Sequence, residues 1–384
     1  MRFVHTADWQ IGKTFGFADE AAEVLRDERV DAIARVGRVA RHEGATVVLV
    51  AGDVYDVEVP TERTLRQPLE RMRAFADLEW HLIPGNHDPH TLQGPWERLR
   101  RLGGADGLPD NVHLHLTAEP VELSGGAAWL LPAPLTRRHA GGDPTAAMDP
   151  AATPDGALRI GLAHGSITSF GSDPTTTHNL IAADRATRAG LAYLALGDWH
   201  GAQAINDRCW YSGTPETDGF DTGGNGGGEA LVVDIAGPGA IPVVSRHRVG
   251  RFQWDRLDVG IHGSAEITAL ETRLRGLSSD LSTVLIWLTV HGTIDLAERQ
   301  VFESRIRNGV GSALRVLRLD DGGLLPRPTP ADLEAIDHAG FVRVAADKLA
   351  ERAGDEAAPD REIAAAALQR LYLLNMRLST GAGR

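Results

Sequence analysis

Short apolar runs that stop abruptly in polar residues recur along the first two hundred positions. Phe3-Val4-His5-Thr6-Ala7 leads to Asp8, Val47-Val48-Leu49-Val50-Ala51 to Gly52-Asp53, and the run 78–83 to Pro84-Gly85-Asn86-His87-Asp88. Runs of this length bounded by glycine and polar residues predict buried strands, and Gly85 is expected to permit a tight turn exposing Asn86 and His87. Between them, residues 21–42 place Ala22, Leu25, Val30, Ile33, Val36 and Val39 at helical spacing ahead of Gly44, and Thr61 suits the N-cap of a second helix over 61–76. The order β-α-β-α-β implies parallel pairing, and in an open α/β sheet the carboxyl ends of such strands are where sites are built.

Further along, a helix is expected over 94–102. The strands predicted at 112–116, 121–123 and 128–131 read as antiparallel neighbours, followed by a long surface loop over 132–156 in which Arg137 and Arg138 read as solvated charges. Strands at 158–163 and 191–196 end at His164 and at Gly197-Asp198-Trp199-His200, and 202–206, 208–212 and 229–235 read as a closing antiparallel set. The glycine run 223–228 lacks the Lys-Ser/Thr and the following helix of a phosphate-cradling loop and reads as a hairpin connection. Over 241–251 the chain is expected to leave this body for a small α+β unit (strand 253–259, helix 265–277, strand 282–290, helix 296–309, strand 313–319). The proline-rich break 326–330 and two helices, 331–353 and 361–378, finish it; the last sets Ile363, Leu368, Leu371, Leu374 and Leu378 near one face, for packing or for a partner. The expected divisions are 1–250, 251–325 and 326–384.

Composition narrows the classes. A chain of 384 residues with a formal charge of −13 does not coat nucleic acid through a general basic surface, though nucleic acid could still meet a local metal site. The single cysteine, Cys209, excludes a disulfide framework and a cysteine-based zinc site, and no run of about 18 apolar residues spans a membrane. The reading is a soluble cytoplasmic protein.

The residues at the strand ends are Asp8, Gln10, Asp53, Asp56, Asn86, His87, His164, Asp198 and His200. Oxygen-rich donors with a few imidazoles suit manganese, magnesium or iron better than structural zinc, and two ions about 3.5–4 Å apart would let one carboxylate, Asp53, bridge them. Cations there would also offset repulsion among Asp8, Asp53 and Asp198. Each residue taken singly has a plain structural reading as a turn cap or a hydrogen-bonded histidine; the set does not. His5, His81, His90, His113, His115, His139 and His178 have no such partner spacing. Trp9 and Trp199 flank the set and read either as stacking surfaces for a base or as packing.

Asp8-Trp9-Gln10, Gly52-Asp53-Val54-Tyr55-Asp56, Gly85-Asn86-His87-Asp88, His164 and Gly197-Asp198-Trp199-His200 together resemble the five motifs of the calcineurin-like metallophosphoesterases. The flanks His5-Thr6-Ala7-Asp8-Trp9, Tyr193-Leu194-Ala195-Leu196-Gly197-Asp198 and Tyr211-Ser212-Gly213-Thr214-Pro215-Glu216 are similar to the SbcD-like DNA-repair nucleases. The resemblance covers about residues 1–247. It implies an α/β fold, a two-sheet β-sandwich flanked by helices, with a smaller α+β cap domain and C-terminal helices. It implies a first metal on Asp8, Gln10, Asp53 and His200 and a second on Asp53, Asn86, His164 and Asp198. His87 would touch the scissile phosphate or protonate the leaving oxygen, with Asp56 orienting it, in an in-line attack by metal-activated water. Where the family usually has histidine this chain has Gln10, a weaker neutral ligand, and Asp198, a harder anionic one, which favours manganese.

The expected activity is therefore a manganese-dependent endonuclease acting on single-stranded or frayed DNA in repair, with an SbcC-like ATPase as partner and a homodimer as a family expectation. Two rivals stand beside it. A phosphatase or phosphodiesterase for nucleotides or other small phosphoesters would need a closed pocket over the metals, where a nuclease needs an open groove. A non-catalytic DNA-binding or scaffolding subunit would bind little metal and would not notice the loss of His87.

Overall fold

β1 (Arg2–Thr6), β2 (Val47–Val50) and β3 (Glu79–Leu82) run parallel, with Phe3 beside Val47 and Val47 beside Glu79, because α1 (Ala22–Glu43) and α2 (Glu62–Arg73) return the chain to the same edge each time. In the computed structural model, which describes residues 1–103, 107–126, 128–168, 178–220, 226–326, 340–355 and 357–381, Gly44 takes a left-handed conformation that ends α1, and Thr61 accepts from the Thr64 amide to start α2. α3 (Pro95–Arg101) then leads to β4 (Val112–Leu114), which pairs parallel with β3 rather than antiparallel with its successors. Three-residue strands carry no local signal of which neighbour they will find, and the intervening helix makes this a crossover.

β5 (Val121–Leu123), β6 (Ala128–Ala133) and β7 (Leu158–His164) build a second sheet, in which β5 pairs antiparallel with β6 and β6 parallel with β7. β8 (Ser166–Ile167) and β9 (Leu180–Ile181) form a small separate pair, and α4 (Arg185–Arg188) precedes β10 (Tyr193–Gly197), β11 (Gln203–Asn206) and β12 (Cys209–Tyr211) of the second sheet. The strand orders are β5-β6-β7-β10-β12-β11 there and β4-β3-β2-β1-β13-β14 in the first sheet, to which β13 (Glu229–Asp234) and β14 (Val243–Arg248) return. The set read as closing antiparallel together is thus split: β11 and β12 pair in one sheet, while β13 adds to β1 in the other. The stretch expected to leave the body at 241 first contributes β14 to it.

Strand alternation sorts the apolar residues into layers. Phe3, Leu49, Leu231 and Val233 of the first sheet meet Leu130, Ile160, Leu162 and Tyr193 of the second in a core between the sheets. The opposite faces bury Val4, Val48, Trp80 and Leu82 against Ile33, Val36, Leu69 and Trp96 of the helices, and Leu131, Leu194, Leu196 and Tyr211 against Ala186 and Met148. The result is a helix–sheet–sheet–helix sandwich whose parallel strands β1, β2, β3, β7 and β10 all end at one rim.

The chain divides into two compact units after Trp254. The second contains all but the first two residues of β15 (Gln253–Ile261), and α5 (Ser264–Arg275), β16 (Val284–Ile294), α6 (Leu296–Phe302), β17 (Val316–Pro326), α7 (Phe341–Gly354) and α8 (Arg361–Gly381). Ile267, Leu270 and Leu274 of α5 and Phe302 of α6 cover Ile286, Leu288 and Val290 of the three-stranded sheet. Residues 223–225 of the glycine run, 327–330 of the proline break and the beginning of the helix predicted from 331 lie outside the described residues.

Candidate metal centre

Four of the expected donors sit on backbone that side chains seldom adopt. Asp8 (φ 54°), Gln10 (φ 43°), Asp53 (φ 53°) and Asp198 (φ 111°) all have positive φ just beyond a strand end. Such conformations cost about 1–3 kcal/mol each and persist where the surroundings hold them. Here the loops hold one another: the Asp8 amide donates to the Gly52 carbonyl (3.1 Å), and the Gln10 amide to the Asp53 carbonyl (2.9 Å). The Asp198 amide donates to the Asp8 carboxylate at 3.1 and 3.2 Å. Gly85 is needed for closeness, not for its dihedrals, since a Cβ there would lie 2.1 Å from Asp53 Oδ1.

Asp8, Asp53 and His164 are buried and present donor atoms within 4.8 Å of one another. His164 Nδ1 donates to the Ala51 carbonyl at 2.8 Å, which turns Nε2 toward Asn86 Oδ1 (3.2 Å), Asp53 Oδ1 (3.5 Å) and Asp198 Oδ1 (3.8 Å). A bare imidazole nitrogen facing three oxygens is a set of acceptors without a donor; it requires a proton or a cation among them. The ionisation of the two buried groups shows the same demand. Burial, with Asp53 and Asp198, pushes the Asp8 carboxyl up to about 7 against the pull of His164 and His200. Burial lowers His164, but Asp53, Asp8 and Asp198 outweigh it and raise it to about 9. A divalent ion fits this position.

The remaining expected residues complete the rim. Asp198 Oδ2 accepts from the Ser166 hydroxyl. The His87 amide donates to Asp53 Oδ1 (2.9 Å), and its Nδ1 donates to the backbone carbonyl of Asp56 (3.1 Å), while the Asp56 carboxylate stands at 3.9 Å. Asp56 thus orients His87 through its main chain, and the imidazole is 30% exposed. His200 Nδ1 donates to Asp218 (3.1 Å), and Gln10 lies between His200 and Lys13. Trp9 is fully buried, bonded to the Thr6 hydroxyl and edge-on to Trp80, so it packs and cannot stack on a base; Trp199 is exposed. A cavity of about 330 Å³, open to solvent, is lined by Lys13, Asp198, Trp199, His200, Asp218 and Phe220.

Several supporting residues escape a reading of the sequence. Asp88, buried, accepts from the Tyr55 amide (3.0 Å) and the Gly85 amide (2.7 Å), joining the second and third strand-end loops. Arg29 on α1, 1% exposed, donates to the carbonyls of Trp9, Asp8 and Glu216 and to the Thr214 hydroxyl. Asp218 is held well below the usual carboxylate range, since His200, Arg29 and Lys13 outweigh its burial. Only Asp88 lies inside a quoted motif; the others are distant in sequence and have no spacing signal.

The family model for calcineurin-like phosphoesterases matches residues 1–166. The SbcD component of the SbcCD nuclease of Rhodobacter capsulatus is 32% identical over 291 residues, 63% of this chain and 68% of that protein. The chain belongs to the SbcD-like branch of the calcineurin-like metallophosphoesterases. The corresponding component of the SbcCD nuclease of Staphylococcus epidermidis is 27% identical over 140 residues, about a third of each chain (34%). The crystal structure of TT1561 of Thermus thermophilus overlaps 65% of this chain and 98% of its own at 13% identity and a TM-score of 0.40, too loose a likeness to argue from. Membership makes the protein a metal-dependent hydrolase of phosphoesters, and Asp8, Asp53 and His164 offer a place for the metal.

Protons and metal compete for these atoms. Because Asp8 and His164 are raised in the folded chain from ordinary values of 3.8 and 6.5, the metal-free protein gains stability at low pH and loses it as pH climbs through about 7 and then about 9. An ion must displace the same protons, so its affinity should rise by roughly tenfold per pH unit between about pH 7 and about pH 9, and more steeply below about pH 7. Calorimetric titration with Mn²⁺ at three pH values checks this; a flat profile would remove Asp8 and His164 from the ligand set. Melting in chelator should fall over the same window, and melting with metal should not.

Proposed function

We propose that this chain is a manganese-dependent nuclease that hydrolyses DNA phosphodiesters, with single-stranded or frayed DNA as substrate and repair in the cytoplasm as its setting. The observation that carries the reading is the convergence of Asp8, Asp53, Asn86, His164 and Asp198 at one rim, with Asp198 and His200 lining a solvent-open cavity. An open cavity suits a polymer better than the closed pocket that a small phosphoester enzyme needs, and the relatives are themselves named nucleases.

In this reading Asp53, Asn86, His164 and Asp198, with Asp8 alongside, hold one ion, and Asp8, Gln10, Asp53 and His200 line the place of a second. The carboxylate and carbonyl oxygens select a hard cation such as manganese. A bound ion supplies Lewis acidity at the phosphoryl group and acidifies water. The protein's own contribution is orientation: the Ala51 carbonyl fixes the His164 tautomer, the Ser166 hydroxyl holds the Asp198 carboxylate, and the Asp198 amide holds the Asp8 carboxylate. His87, its Nδ1 committed to Asp56, presents Nε2 to a non-bridging phosphate oxygen or to the leaving oxygen.

The relatives are named as one component of SbcCD, and we extend this to an SbcC-like ATPase partner here, for which exposed Phe341 and Val344 of α7 and Ile363 of α8 offer apolar contacts. The activity test is cleavage of labelled circular and linear single-stranded DNA, beside p-nitrophenyl phosphate esters, with manganese, magnesium or zinc. Cutting of the circle with manganese, lost in His87→Ala, is the expected result. Hydrolysis of the small esters alone would move the assignment to a small-substrate phosphoesterase.

A further inference from the structure

The two halves of the rim are not equivalent, and the difference lies in a lysine. On the His164 side, only a proton or a cation at Nε2 pairs the imidazole with its oxygens: Nε2 lies 3.2 Å from Asn86 Oδ1, with the Asp53 carboxylate beside them. On the His200 side the polar atoms have complementary protein partners. His200 Nδ1 donates to Asp218 (3.1 Å), and its Nε2 accepts from Gln10 Nε2 (3.2 Å). Gln10 Oε1 accepts from Lys13 Nζ (3.0 Å), and the same ammonium lies 2.6 Å from Asp218 Oδ2. Four side chains close a ring: Lys13, Gln10, His200, Asp218. The oxygen that Gln10 would offer an ion is bound to an ammonium, and the imidazole nitrogen of His200 is bound to an amide.

The charge balance points the same way. Asp218 is almost fully buried, with its side chain 3% exposed, and Lys13 compensates it within the ring. Lys13 lines the open cavity together with His200 and Asp218, so its positive charge stands among the residues expected to line the place of a second ion. Lys13 follows Gln10 by a single turn, its amide donating to the Gln10 carbonyl (3.1 Å), so the short reach is built into the backbone. Replacing a histidine by glutamine would weaken a metal position; a lysine bonded to that glutamine goes further and supplies a cation of the protein's own.

We propose that Lys13 stands in for the second divalent cation, so that the resting protein holds one ion tightly, on the His164 side, and binds another only weakly. This rests on the metal-centre reading above. The test is the stoichiometry and affinity of Mn²⁺ in the full chain, by elemental analysis after desalting, by calorimetry and by electron paramagnetic resonance, in wild type, Lys13→Met, Lys13→Arg and Asp53→Asn. Wild type should retain one ion per chain with an uncoupled manganese spectrum. Lys13→Met should keep that ion and bind a second at least about tenfold more tightly than wild type does, while Lys13→Arg should behave as wild type. Two ions of similar affinity in wild type, with a spin-coupled spectrum, would overturn the proposal, as would a folded Lys13→Met whose second binding step is unchanged. Absence of any tight ion in wild type, or its persistence in Asp53→Asn, would instead overturn the metal centre itself, and with it the proposal.

Discussion

His87→Ala should lower the turnover of the metal-loaded enzyme by about 10²–10⁴ while leaving metal content and melting temperature close to wild type. The separation is dictated by geometry. The side chain is 30% exposed, and its link to Asp53 runs through the His87 amide, which alanine keeps. What alanine removes is the partly exposed imidazole held through Nδ1 by Asp56. The same geometry ranks the Asp56 variants. The His87 ring is held by the Asp56 carbonyl at 3.1 Å and not by the carboxylate at 3.9 Å, so Asp56→Asn should cost about tenfold or less. Loss of metal from His87→Ala would place the histidine in the ligand shell; unchanged turnover would deny it a part in the chemistry. Single-turnover cleavage at saturating manganese, with elemental analysis of the same samples, reads both quantities.

The strand-end residues were legible from the sequence because a strand must end somewhere, and at the carboxyl edge of parallel strands polar residues are brought together by topology alone. Phe3 to Asp8, Val47 to Asp53 and the run to Asn86 announce themselves in this way, and parallel pairing sets them side by side. The helix–sheet–sheet–helix layering of the first unit follows once two sets of such strands are recognised. What was not legible is whatever depends on a partner far along the chain. Lys13 meets Asp218 across 205 positions, and Asp198 meets Asp8 across 190, with no periodicity to connect them. Strand partners fail for the same reason. Glu229–Asp234 has the same local pattern as its predecessors, yet it pairs with β1 and not with β12. Trp9 illustrates the limit at a single residue: adjacency to Asp8 in sequence suggested the rim, whereas the left-handed turn at Asp8 sends the indole into the core against Trp80.

Arg29→Met should destabilise the first unit by about 3–5 kcal/mol, the scale on which breaking a buried ionic network exceeds an ordinary surface change. The guanidinium is 1% exposed and makes four hydrogen bonds: Trp9 O (2.9 Å), Glu216 O (2.7 Å), Asp8 O (3.1 Å) and Thr214 Oγ1 (3.0 Å). Methionine fills much of the volume but leaves three carbonyls without this donor, and it removes the charge that helps hold Asp218 ionised. For a unit of this size the loss corresponds to a fall of roughly 8–15 °C in melting temperature. The consequence reaches the metal, because the Asp8 backbone sits at φ 54° and Arg29 is one of the groups that keep it there. Metal affinity should therefore fall even in molecules that remain folded. Arg29→Lys separates charge from geometry: a point ammonium restores the sign but not the planar fork that spans Trp9, Asp8 and Thr214 at once, so it should recover only a minor part of both losses. Melting curves in chelator measure the structural cost, and manganese titration of the folded fraction measures the cost to the site. A variant that melts within a degree or two of wild type would mean that the strained Asp8 loop is held by its contacts to Gly52 and Asp198 alone.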